Sequence, residues 1–179
     1  MGKPVRGFTL VELVVVVLVS GLLAALAAPS FAAMLERHRT RAITHQLTAS
    51  MALARLGAVR LGQPVTLCPT RDGLRCRRDL VWEAGWMAYV DPRRLDQPEQ
   101  PSDILEHVPL DAGRLLARSS AGRHRIRFLP TGWSSGSNLS IRICRRDPAE
   151  LLGAVVVNNA GRPRMERQGS TPKPCPYPP

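Results

Sequence analysis

The sequence is short of aromatic residues, at 4% of 179, and nearly devoid of lysine: only Lys3 and Lys173 stand among 25 basic side chains, leaving 23 arginines. Few rings are therefore on hand to stack on bases or fill a large core. Absent as well are an H-E-x-x-H pair, a glycine-rich phosphate loop and a G-x-S-x-G elbow. The four cysteines, Cys68, Cys76, Cys144 and Cys175, include no C-x-x-C unit of the kind that holds zinc, and His38, His45, His107 and His124 form no cluster. No catalytic residue, metal or cofactor is expected from these patterns. What remains is a chain of ordinary domain size, 44% apolar and 22% charged, a balance that suits a folded protein rather than a disordered one.

The apolar residues are unevenly spread. Residues 8–28, FTLVELVVVVLVSGLLAALAA, contain one charge, Glu12. A helix of that length rises roughly 30 Å, enough to cross the hydrocarbon of a bilayer. The leader before it carries Lys3 and Arg6 and no acid, which predicts a cytoplasmic N-terminus and a chain exported beyond it. Four cysteines agree, since two disulfides persist in an oxidising compartment. A cleaved signal peptide fits less well. The run exceeds the usual h-region, holds a carboxylate, and continues into a helix-compatible stretch from Phe31 to Leu61. There Ile43, Leu47, Met51, Ala54, Ala58 and Leu61 recur every three or four residues, opposite Arg37, Arg41, His45, Arg55 and Arg60. The reading is one long helix from about Phe8 to Leu61, kinked near Pro29, greasy in its first half and amphipathic in its second.

Glu12 needs a cationic partner, because a carboxylate within a membrane helix is costly. A cut after Gly7 would create one four residues away, at the new α-amino group of Phe8. The string RGFTLVEL, followed by an apolar run and Pro29, resembles the class III signal of type IV pilins and pseudopilins. That resemblance implies cleavage by a prepilin peptidase after Gly7 and methylation of Phe8. It further implies that Glu12 registers the subunit against other pilin subunits in a filament.

Beyond Leu61 the pattern shifts to short apolar stretches between turn residues. Strands are predicted at Pro64–Cys68, Trp86–Val90, Ile104–Val108, Arg114–Arg118, His124–Leu129, Leu139–Cys144, Ala154–Asn158 and Arg162–Arg167. The fold class expected is α+β: a long N-terminal helix, transmembrane then amphipathic, packed on antiparallel β-sheets of a small globular domain. The organisation expected is a removable leader (1–7), an assembly helix (8–30), its amphipathic half (31–61) and the globular domain (62–179). Pro92 to Ser102 reads as a surface loop, and the proline-rich tail from Gly169 as irregular chain that Cys175 could tether. Trp82 and Trp86, four apart, read as core.

Further strings resemble the FimT/FimU–GspH branch of minor pilins: GQPVTLCP, Cys76, WEAGWMAYVD, FLPTGWSSG, a strand closing on Cys144, and VVVNNAGRPRM. By that resemblance the disulfides are Cys68–Cys76 and Cys144–Cys175. Spacing allows the first but does not dictate connectivity.

Charge is also asymmetric. Residues 8–111 hold 11 arginines and 11 acids, whereas residues 112–179 hold 12 basic and 3 acidic side chains. Arg123, Arg125 and Arg127 alternate along a predicted strand and would share one face, either as a solvated surface or as an anion-binding one. Arg162 and Arg164, in a G-R-x-R setting, resemble the motif with which FimT-type pilins bind DNA. Arg142 and Arg167 are further candidates, and Trp133 and Tyr177 lie nearby as either stacking or packing residues. Guanidinium groups suit phosphate, so the expected partner is double-stranded DNA bound without sequence preference. The expectation is a minor type IV pilin, anchored in the inner membrane and then assembled into an extracellular pilus, that takes up DNA in natural transformation. The alternative is a GspH-like pseudopilin or pilus-initiation subunit of a type II secretion or pilus system, without DNA binding.

Overall fold

The computed structural model describes Gly7, residues 9–134, Gly136, residues 138–169 and residues 171–176. Phe8 and Tyr177, and with them Lys3 and Arg6, lie outside the described residues. The chain divides into two compact units, Met1–His38 and Arg39–Pro179. One helix, α1 (Leu10–Leu61), belongs to both, and Pro29 lies inside it without ending it.

In the first unit the helix is exposed from Leu10 to Leu35, and it includes an 18-residue stretch with mean hydropathy 2.7. Thr9 opens it as an N-cap: its Oγ1 accepts from the amide of Glu12 at 3.2 Å, and its carbonyl accepts from Leu13 at 3.1 Å. Thr9 and Glu12 have the spacing of a capping box, so Glu12 also suits the positive end of the helix dipole.

In the second unit the helix becomes one-sided. Ile43, Leu47, Met51, Ala54 and Ala58 are buried, at intervals of three and four, against two four-stranded antiparallel sheets. Leu61, expected on that stripe, is 48% exposed, because the helix ends there and Gly62 turns the chain away at φ +65°. The first sheet joins β1 (Val65–Pro69), β2 (Gly85–Val90), β3 (Ile104–Pro109) and β5 (Ile126–Phe128) in the order β3-β2-β1-β5. The second joins β4 (Leu115–Ser119), β6 (Leu139–Arg145), β7 (Glu150–Val157) and β8 (Pro163–Arg167) in the order β4-β6-β7-β8. Alternation places Val65, Leu67, Trp86, Ala88, Ile126, Phe128, Ile141, Ile143 and Val155 in a single core with the helix. Trp86 is wholly buried there and satisfies its indole N–H on Ser50 Oγ at 2.9 Å.

The outer face of the first sheet is covered by chain. Cys68, Met87 and Tyr89 point outward from β1 and β2 and pack with Cys76 and Ile104. Gln97 clasps this cover, accepting from the Cys76 amide at 2.7 Å and donating to the Cys76 carbonyl at 3.0 Å. The cysteines form two disulfides, Cys68–Cys76 and Cys144–Cys175. The second ties the tail to the second sheet, where Leu151 donates to the Lys173 carbonyl and Cys175 to the Ala149 carbonyl.

Candidate nucleic-acid interface

The arginines singled out by sequence divide according to whether an acid lies within reach. β5 starts only at Ile126, so Arg123 and Arg125 precede the strand and just Arg127 lies on it. Arg127 turns toward the 91–95 segment. Its Nε donates to Asp91 Oδ2 at 2.8 Å and to Thr66 Oγ1 at 3.1 Å, and its Nη2 reaches the Leu95 carbonyl at 3.1 Å. Thr66 Oγ1 itself donates to Asp91 Oδ2 at 2.7 Å. The Asp91 side chain is only 2% exposed, and a carboxylate so buried requires a countercharge. Arg125 pairs with Asp96, and hydrogen bonding to that guanidinium holds the Asp96 carboxyl below its ordinary value. Burial pushes the adjacent His124 imidazole down, with the Arg125 charge adding to the effect. Burial, then the Asp91 charge, raises the Tyr89 phenol to about 12. The alternating arginines thus do not form one solvated face: two of the three close an internal network.

The other arginines belong to the second sheet. The last rung at one of its ends is Leu139–Val157–Pro163. One residue beyond it stand Asn138, Asn158 and Arg162, all exposed. The β4–β5 connection reaches the same end, since Ser120 donates to the Ser140 carbonyl at 2.9 Å and Arg123 closes a turn on Ser120 at 3.1 Å. Arg123, exposed, therefore follows the end of β4 and Arg162 precedes β8, and these two edge strands are three strand spacings or roughly 14 Å apart.

Arg164 lies one rung inward, opposite Val156 and exposed, paired with Glu166 at 2.8 Å. Arg142 is half-buried on the same outward face, opposite Arg118 on β4 and Ala154 on β7. Arg118 is held by Glu83 at 2.7 Å. Arg167 has the opposite parity to Arg164 on β8 and pairs with Gly153, toward the far end of the sheet. The structure thus places Arg162, Arg164 and Arg142 on one part of the second sheet, with Arg123 at its opposite edge, and separates Arg167, Arg125 and Arg127 from them. From Ala112 to Arg146, and again from Leu151 to Met165, the chain contains no acid, which is why this end keeps its positive charge.

The loop bearing Arg162 is rigidly supported. Asn158 and Gly161 close a turn at 2.9 Å, and the Arg162 amide donates to Asn158 Oδ1 at 3.3 Å. Gly161 has φ +69°, and a Cβ there would run into the carbonyl oxygen of Gly132. That carbonyl also accepts from Arg55 Nε at 2.9 Å. Ser134 completes the join, its amide donating to the Asn159 carbonyl at 3.0 Å and its Oγ to the Asn158 carbonyl at 2.7 Å. Periodicity puts Arg55 on the face opposite the apolar stripe, and there it is a half-buried prop for this loop. Its one sequence signal is its place next to the buried Ala54.

Gly7 is exposed, and Glu12 projects from the first turn of α1, also exposed. Among the described residues no group of three or more acids, histidines and cysteines converges as a metal site would.

Comparison with known proteins gives three findings. The family model described as type II transport protein GspH matches residues 43–161, and that of the prokaryotic N-terminal methylation motif matches residues 2–28. No curated protein matches the chain by sequence. Among solved structures, the type IV minor pilin FimU of Pseudomonas aeruginosa is similar in two crystal forms. It is 17% identical, with TM-scores of 0.54 and 0.56, and the alignments cover 76% and 79% of this chain and 99% and 98% of FimU. The minor pseudopilin EpsH from the type 2 secretion system of Vibrio cholerae is 14% identical, with a TM-score of 0.50 over 73% of this chain and 98% of its own.

Proposed function

Since this chain belongs to the GspH family and opens on the N-terminal methylation motif, we propose that it is a minor type IV pilin that holds extracellular DNA for uptake. In this reading residues 1–7 are a leader that a prepilin peptidase removes after Gly7, and Phe8 becomes the methylated N-terminus. Residues 8–30 anchor the subunit in the inner membrane with the N-terminus in the cytoplasm. Residues 31–61 and 62–179 then lie on the oxidising side, which accords with two disulfides and no free cysteine. Glu12 neutralises the new amine, on its own or a neighbouring subunit, when copies pack into a filament. Leu53 and Leu56, 55% and 60% exposed on the amphipathic half of α1, supply apolar surface for neighbouring pilin subunits.

The observation that carries DNA binding is the arginine-rich sheet end presenting Arg123 and Arg162, with Arg164 and Arg142 further in, built from two segments (112–146 and 151–165) that contain no acid. Such a patch contacts phosphates without reading bases, so the partner is duplex DNA of any sequence and the affinity falls steeply with salt. The chemistry is retention rather than catalysis. The second reading, a pseudopilin or pilus-initiation subunit without DNA binding, is favoured by Arg164 already holding Glu166.

Two measurements test the proposal. Processed full chain in detergent should retard random duplex DNA at low salt and release it as salt rises; no retardation favours the second reading. The mature chain should weigh less than the precursor by the mass of residues 1–7, offset by one added methyl group. Gly7→Ala should leave the precursor uncut, and normal processing of that variant would count against the pilin reading altogether.

A further inference from the structure

The chain has three tryptophans, and their environments differ sharply. Trp82 and Trp86 are 0% exposed, whereas Trp133 is 58% exposed. Leaving an indole in water forfeits one of the largest burial gains a side chain offers. The residues on either side of Trp133, Gly132 and Ser134, are firmly held. The Trp133 carbonyl accepts from Leu129 at 2.8 Å, Gly132 is braced by Arg55, and Ser134 is bonded twice to the β7–β8 turn. The close approach of Gly161 to the Gly132 carbonyl joins the backbone of Trp133 to that of Arg162.

The surroundings have a consistent chemistry. Asn138, Asn158 and Asn159 are exposed beside the same turn, and acids are missing from both contributing segments. An exposed ring, neutral amides and arginines on a rigid end form the set that recognises an unpaired base together with its phosphates. A duplex offers phosphates but keeps its bases stacked, so the indole gains nothing from it except at a frayed end.

Resting on the DNA-binding reading above, we infer that Trp133 is a base-stacking contact, and that this sheet end binds single-stranded DNA more tightly than duplex. The arginines position the backbone; Trp133 and the asparagine amides engage the base. Stacking of one base on an aromatic side chain corresponds to a five- to hundred-fold change in affinity, to order of magnitude.

The two buried tryptophans make Trp133 its own reporter. Full chain in detergent is titrated at low salt with an oligothymidylate and with a hairpin duplex of equal phosphate number, following intrinsic fluorescence and affinity. The expected result is quenching by the single strand, little by the duplex, and at least about five-fold tighter binding of the single strand. Trp133→Ala should bring single-strand affinity down to the duplex level while leaving duplex affinity unchanged. Trp133→Phe should keep part of the preference, and serves as the decisive variant if alanine disturbs the loop. Equal affinity for the two forms, binding without quenching, or equal weakening of both by Trp133→Ala overturns the stacking role while DNA binding stands. Failure to bind either form overturns both. Should Trp133→Ala leave DNA binding intact and instead abolish incorporation into filaments, Trp133 is a subunit contact and the inference fails.

Discussion

Two groups of arginines end in opposite circumstances. Arg125 and Arg127 sit by the first sheet and are consumed by Asp96 and Asp91; Arg123 and Arg162, at the end of the second, meet no acid among the described residues. The difference arises from what lies across from each group. The 91–96 segment brings two carboxylates to Arg125 and Arg127 from some thirty residues away, while the segments that form the sheet end, 112–146 and 151–165, contain none, and the neighbouring Glu166 is taken by Arg164. An excess of arginine therefore says little about anion binding until its partners are placed. Here one group serves the fold and the other is left for a ligand.

The largest effect should come from breaking the internal group. Arg127→Ala leaves Asp91 buried and Thr66 without its donor, and removing one partner of such a network costs on the order of 3 kcal/mol. Thermal or urea unfolding should show that loss, and a Tm within error of wild type would mean that the network contributes nothing. Gly161→Ala should be second, at about 1–3 kcal/mol, because it forces a side chain into left-handed backbone and against the Gly132 carbonyl. It should also displace Arg162 and weaken DNA binding. Loss of stability with wild-type affinity would detach the loop from the site.

A smaller effect sharpens the comparison through pH. The folded His124 has a lowered pKa, so its neutral form contributes stability that is complete above the unfolded value of 6.5 and is lost as pH falls through the folded one. The folded Asp96 is also lowered, so its contribution holds above the ordinary carboxylate range and disappears in stronger acid. Unfolding free energy should then fall from pH 7 to pH 5, and His124→Gln should flatten that decline. An unchanged decline would put its cause elsewhere.

Much of the fold was legible in the chain. All eight strands fall at or near their expected positions, because alternation of apolar residues between turn signals survives in a half-buried sheet. The helical stripe held from Ile43 to Ala58 for the same reason. β7 is longer than its apolar pattern, running from Glu150 to Val157, since pairing with β6 and with the tail extends it through Glu150 and Leu151. The candidate site was only half legible. A G-R-x-R string can be read locally, but Arg162 precedes β8 rather than sharing it with Arg164. Which arginines find acids, that Arg55 braces a distant turn, and that Trp133 faces water depend on long-range contacts without local periodicity.

In the proposed function the sheet-end arginines, and not those beside β5, hold DNA. The most direct measurement is the salt dependence of duplex affinity for the full chain and for Arg162→Ala combined with Arg164→Ala. Both residues are exposed, so the variant should keep its stability within about 0.5 kcal/mol. Its slope of log affinity against log salt should flatten by about two phosphate contacts, with weaker binding at every salt concentration. An unaltered slope and affinity in the double variant would contradict the claim.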